Sequence, residues 1–139
     1  MWIGIDVLHE DELDVLLERP WFRDYTYAPE ELATAESFGA RRAREFLAGR
    51  FAAKEAALKV LGTGVGAGVT PRQVAILRSD GGSPVVRLSG AAARHAEARG
   101  IAAISVSITH KRGLVVAAAI GVPAPCCAPA APSGEPAAG

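Results

Sequence analysis

Cysteine is almost missing. Only Cys126 and Cys127 occur among the 139 residues, and they are neighbours in the chain. Adjacent cysteines in a proline-rich end cannot supply a disulfide framework for a domain, and they make a poor metal site. Histidine is scarce too: His9, His95 and His110 are the whole complement, and no partner set around them has zinc-ligand spacing. Aromatic residues make up 6% of the chain, so its basic stretches lack the aromatic interleaving of a nucleic-acid binder. No apolar run approaches the roughly 18 residues that span a bilayer, and no basic start followed by an apolar core and a cleavage site opens the sequence. The expectation is a soluble cytoplasmic protein without membrane or nucleic-acid partners. No Gly-x-Ser-x-Gly elbow is present, which removes support for a Ser-His-Asp hydrolase.

What is present suits one folded unit, since half the residues are apolar and 22% are charged. A formal net charge of zero hides a polarity. Ten acidic residues lie between Asp6 and Glu36 against Arg19 and Arg23, whereas six basic residues face two acidic ones between Arg41 and Lys59. Such sorting predicts surface patches of opposite sign.

The opening WIGIDVL alternates with the period of a half-buried strand, putting Ile3, Ile5 and Val7 on the expected core face and Gly4 and Asp6 on the other. EDELDVLLER reads as a short acidic helix closed by Pro20. APEELATAES starts another helix, with Pro29 in its first turn and Glu30 and Glu31 complementing the positive helix end. A long helix from about Ala40 to Leu61 ends in Gly62, Gly64, Gly66 and Gly68. QVAILRS and VVRLSG read as two strands around the turn DGGSP, and AAARHAEAR as a helix stopped by Gly100. AAISVSITH and GLVVAAAIGV form a hairpin across Lys111, Arg112 and Gly113. From Pro123 onward the chain holds five of its nine prolines and little to bury, so residues 123–139 read as a disordered Pro/Ala-rich tail behind a domain over 1–122.

Glu55 and Lys59 stand one turn apart on one helical face. They suit a solvated Glu-to-Lys pair, or alternatively a divalent cation held by Glu55 and a second carboxylate, with Lys59 reaching phosphate oxygens. Mg²⁺ needs only one or two protein carboxylates beside waters and substrate phosphates, and Asp6 at its strand edge is a fitting second ligand. The glycines of GTGVGA follow a helix rather than open one, which excludes a dinucleotide fingerprint, and no Lys-Ser or Lys-Thr makes them a Walker-type loop. His110 continues the even-numbered apolar face of its strand, where packing would suffice. With Lys111 and Arg112 beside it, it also suits a phosphate grip.

Four pieces in order, GIDV, EFLAGRFAAKEAALKVLGTG, GGSPVVRLSG and SVSITH, resemble the holo-acyl-carrier-protein synthases of the 4'-phosphopantetheinyl transferase superfamily, from about Ile3 to Val122. The resemblance implies an α+β fold in which an antiparallel sheet packs with a long helix, assembled as a homotrimer with sites between neighbouring subunits. It implies an Mg²⁺-dependent enzyme that moves the phosphopantetheine arm of coenzyme A to a serine of an apo acyl carrier protein, for fatty-acid or polyketide synthesis. Adenosine 3',5'-bisphosphate is released. Carried onto this sequence, Asp6 and Glu55 hold the metal, Lys59 contacts the pyrophosphate, and Arg50 and His110 bind coenzyme A phosphates. The turn at Pro84 forms part of the adenosine pocket. Proton removal falls to Glu55 directly or to a metal-bound water. Lys54 belongs to the motif, but helical spacing points it away from Glu55 and leaves it without a role.

The sequence departs at one place from the family it resembles. Relatives commonly dock the acidic recognition helix of the carrier with basic residues on the first helix, whereas this chain presents Glu10, Asp11, Glu12, Asp14 and Glu18. Either another surface, such as Arg41, Arg42 and Arg44, meets the carrier, or the carrier is less acidic than usual. The competing readings are a coenzyme A-dependent acyltransferase with the same phosphate grip, and an inactive coenzyme A- or carrier-binding module.

Overall fold

The computed structural model describes residues 1–63 and 68–125. Strand β1, Trp2–His9, leads through a 3₁₀ turn at Glu10–Leu13 into three short helices, α1 Asp14–Leu17, α2 Pro20–Thr26 and α3 Pro29–Glu36. Helix α4 spans Ala40–Leu61, the bounds expected from its sequence. A 3₁₀ turn at Pro71–Gln73 precedes the hairpin of β2, Val74–Arg78, and β3, Pro84–Leu88. Helix α5, Gly90–Ala98, is followed by β4, Ile101–Lys111, and β5, Leu114–Pro123. All strand pairs are antiparallel: β1-β5-β4 make one sheet and β2-β3 a second. The α+β expectation therefore holds, with the strands divided between two sheets.

Helix α4 stops where glycine allows it to. Gly62 takes a left-handed φ of 74°, and its N–H reaches the carbonyls of Leu58 at 3.0 Å and Lys59 at 3.2 Å. Gly64 and Gly66, also expected at this exit, lie outside the described residues, as do Cys126, Cys127 and the rest of the tail from 126. The β4–β5 turn needs positive φ at both central positions, met by Arg112 at 52° and Gly113 at 77°.

Two expectations are corrected. Pro20 does not close the short acidic helix; α1 ends at Leu17, and Pro20 opens α2 in its first turn, where its fixed φ suits the helix and its missing N–H costs nothing. The face of β1 is also reversed. Gly4 and Leu8 are buried against α4, and Asp6 shares that side, whereas Ile3, Ile5 and Val7 point outward at 67, 58 and 57% exposure. Alternation distinguishes two faces without saying which is inner. Here the close fit of strand to helix decides: α4 buries the small residues Ala52, Ala53, Ala56 and Ala57 among its core positions, and the sheet core beside it holds Val115, Ala117 and Ala119. A Cβ on Gly4 would lie 2.0 Å from the Ala56 carbonyl oxygen. Gly4 thus marks a close contact between β1 and α4.

Candidate functional site

The reversal of β1 carries Asp6 to α4. Its carboxylate lies 3.4 Å from Nζ of Lys59, which also donates a 2.6 Å hydrogen bond to the carbonyl of Ile5. Lys59 therefore ties α4 to the backbone of β1 instead of pairing along its own helix with Glu55. The Glu55 carboxyl is held above the usual carboxylate range, first by burial and then by the negative charge of Asp6, with Lys59 offsetting part of both. Folding has thus brought two carboxylates of distant sequence position into mutual repulsion around one ammonium. Among the described residues no third acidic, histidine or cysteine ligand joins them. This donor set does not suit a structural zinc ion. It fits Mg²⁺, which takes one or two carboxylates and completes its shell with water and substrate phosphate.

Arg50, Pro84 and His110 gather elsewhere along α4, in a cavity of about 480 Å³ between the first half of the helix, the β2–β3 hairpin and the end of β4. Arg42 and Arg78 line it too, and Glu45 is the one carboxylate in its wall. The Arg50 guanidinium stacks on the Phe46 ring at 4.3 Å, and its Nε donates to the Ile76 carbonyl at 3.1 Å. Arg42 lies 4.7 Å above the Phe38 ring in the same way. Cations held against aromatic faces, with further nitrogens not consumed by those contacts, can accept an anionic group beside a flat apolar one. From Arg50 to Glu55 the helix advances roughly 7.5 Å along its axis. Over the same five residues it turns by about 140°, so the cavity and the carboxylate pair face different sides of α4.

Lys54, without a role in the sequence, is fully buried on another side of α4. Its Nζ bonds to Glu31 at 2.6 Å and to the carbonyls of Val74 at 2.7 Å and Pro71 at 3.1 Å. Glu31 also accepts the Ala28 N–H at 3.0 Å, so its expected service to the first turn of α3 is only half its work. Burial drives the Glu31 carboxyl up and the Lys54 ammonium down, and their mutual attraction opposes both. Phe38, Arg42, Phe46 and Arg78 were also absent from the expected site. Arg42 and Phe46 precede Arg50 by eight and four residues on α4, a helical spacing that could have flagged them. Arg78 carries no such signal, because only the hairpin's placement brings it there.

The model of the 4'-phosphopantetheinyl transferase superfamily matches residues 3–119. A holo-[acyl-carrier-protein] synthase of Halorhodospira halophila is 42% identical over 117 residues, which are 83% of this chain and 91% of that one. The crystal structure of holo-[acyl-carrier-protein] synthase from Neisseria meningitidis superposes with a TM-score of 0.78 at 29% identity, covering 87% of this chain and 97% of that one. The Bacillus anthracis holo-(acyl-carrier-protein) synthase in complex with CoA (3',5'-ADP) gives 0.72 at 29% identity, covering 86 and 94%. With the motif pieces, the fold and these matches in agreement, the chain belongs to the 4'-phosphopantetheinyl transferase superfamily, among its holo-acyl-carrier-protein synthases.

Proposed function

We propose that this enzyme transfers the 4'-phosphopantetheine arm of coenzyme A to a serine of an apo acyl carrier protein, with Mg²⁺, and releases adenosine 3',5'-bisphosphate. The observation that carries the reading is Asp6 turned toward α4 beside Glu55 and Lys59. The names of its relatives and the coenzyme A complex in B. anthracis support the substrate. Asp6 and Glu55 would hold Mg²⁺, which supplies charge neutralisation at the diphosphate. Lys59, fixed by the Ile5 carbonyl, sets its ammonium against the pyrophosphate oxygens. Arg50 and His110 take coenzyme A phosphates, and the turn at Pro84 borders the adenosine. The carrier's serine oxygen bonds to the β-phosphorus as the bond to the departing bisphosphate breaks, and the serine proton passes to Glu55 or to water. The charge that builds on the phosphoryl oxygens meets cations already in position.

The outward apolar face of Ile3, Ile5, Val7, Ile120 and Val122 supports a homotrimer, whose contacts would cover it. No helix of the described residues is long and apolar enough to cross a membrane, in keeping with a cytoplasmic enzyme. The catalytic domain would extend past the expected boundary at 122, because Pro123 pairs with Ile101 as the last residue of β5 and the Ala124 N–H donates to the Gly100 carbonyl at 2.8 Å. The carrier is a less acidic one. The Glu10 N–H donates to the Gly113 carbonyl at 2.8 Å, which fixes the acidic turn at the end of the strand that carries Asp6. A serine brought to Asp6 therefore comes in beside Glu10, Asp11 and Glu12. The other basic surface is spoken for in part: Arg41 pairs with Glu45 at 3.1 Å, and Arg42 lies in the cavity wall.

Incubation with coenzyme A, Mg²⁺ and an apo-carrier, followed by weighing the carrier, tests the reaction. Arm transfer adds the whole phosphopantetheine. Gain of only an acyl group, or no gain with any carrier, contradicts it. Equal rates with strongly acidic and near-neutral carriers at low salt contradict the carrier preference.

A further inference from the structure

Gly49 is buried inside α4, at a position where alanine is the better helix former. A Cβ built there would lie 2.9 Å from Nε2 and 3.2 Å from Cε1 of His110, and 3.3 Å from Cγ2 of Ile108. Ile108 is packed against the core, whereas His110 is an exposed residue near the end of β4. Of the two, the imidazole is the group free to yield. Among the described residues no side-chain hydrogen bond holds that ring, so its place in the cavity is set by what it rests on.

We propose that Gly49 is a positioning residue for ligand binding: the absence of its side chain is the seat of the His110 imidazole and keeps that ring in the cavity beside the guanidinium of Arg50. The inference rests on the proposed use of the cavity for coenzyme A phosphates. Neighbouring positions on the helix then have complementary tasks, Arg50 supplying a stacked cation and Gly49 supplying the space that places a second anion-binding group next to it. A methyl group at 49 pushes the imidazole off its seat while leaving the helix intact. Stability and affinity therefore move apart, which a merely structural glycine would not produce.

The test is calorimetric binding of adenosine 3',5'-bisphosphate to the full chain, with melting temperatures measured alongside. Gly49→Ala is expected to melt no lower than the parent and to bind about tenfold more weakly, the scale of one charge-assisted contact. His110→Ala should lose a similar factor, and the double variant no more than His110→Ala alone, because the ring displaced by the methyl is already gone. Should Gly49→Ala unfold because the ring cannot yield, the double variant recovers the melting temperature. Parental affinity in Gly49→Ala, or a roughly hundredfold loss in the double variant, overturns the inference while leaving the cavity reading intact. Parental affinity in His110→Ala, or no binding by the parent protein, overturns the cavity reading and this inference with it.

Discussion

Asp6 owes its position to Gly4. A side chain at residue 4 would collide with the Ala56 carbonyl at 2.0 Å, and a helix backbone does not yield as a side-chain tip does. Gly4→Ala should therefore cost about 1–3 kcal/mol, as overpacking does, and move β1 away from Glu55. Urea unfolding and Mg²⁺-dependent turnover should both fall; parental turnover would contradict this role for the glycine. Glu55 yields a prediction of opposite sign. Its carboxyl titrates above the ordinary value of 4.5 because of burial and of Asp6. A raised folded-state pKa means a contribution present below the ordinary value and lost as pH rises through the folded one. At neutral pH the ionised Glu55 thus weakens the metal-free protein. Glu55→Gln should melt higher than the parent in chelator at about pH 7.5, with the gap closing toward about pH 4.5, while losing most turnover. A lower melting temperature at the higher pH would contradict this. At this scale the sequence was only half legible. It named Asp6, Glu55 and Lys59, yet placed Asp6 on the wrong side of its strand, because alternation cannot tell which face a close-packed helix will admit.

Helix α4 was the most legible element, its period long and its exit marked by glycine. Helix α2 was hidden because Pro20 suits a helix start as well as a stop, and the residues around it do not decide between them. Lys54 shows why part of the site's support was not legible. Its partner Glu31 lies on another helix, and its two carbonyl acceptors sit in the segment that leads into β2. That one ammonium fixes α3, the 3₁₀ turn at Pro71 and β2 to α4, and β2 carries Ile76 and Arg78 to the cavity. Lys54→Met leaves a carboxylate buried without its cation and should cost about 3–5 kcal/mol, a large share of the roughly 5–15 kcal/mol by which such domains are stable. Glu31→Leu combined with Lys54→Met removes both charges and should be more stable than Lys54→Met alone, by denaturant midpoint. A double variant weaker than the single would contradict a charge-pairing role.

The molecule as a whole turns a sheet face to its surroundings that a water-soluble monomer would bury. Ile5 at 58% and Ile120 at 42% exposure sit on this face, with Ile3 of β1 directly opposite Ile120 of β5. Ile5→Lys should dissociate the proposed trimer in sedimentation and abolish turnover if sites form between subunits; a trimer of parental stability would contradict the use of this face. The central claim is that Asp6 and Glu55 share one magnesium ion that also holds the coenzyme A diphosphate. Anomalous diffraction from crystals soaked with Mn²⁺ and coenzyme A measures this most directly. One metal peak is expected within about 2.0–2.3 Å of oxygens from both carboxylates and from the diphosphate. A peak on only one of the two carboxylates, or at another place in the molecule, would contradict it.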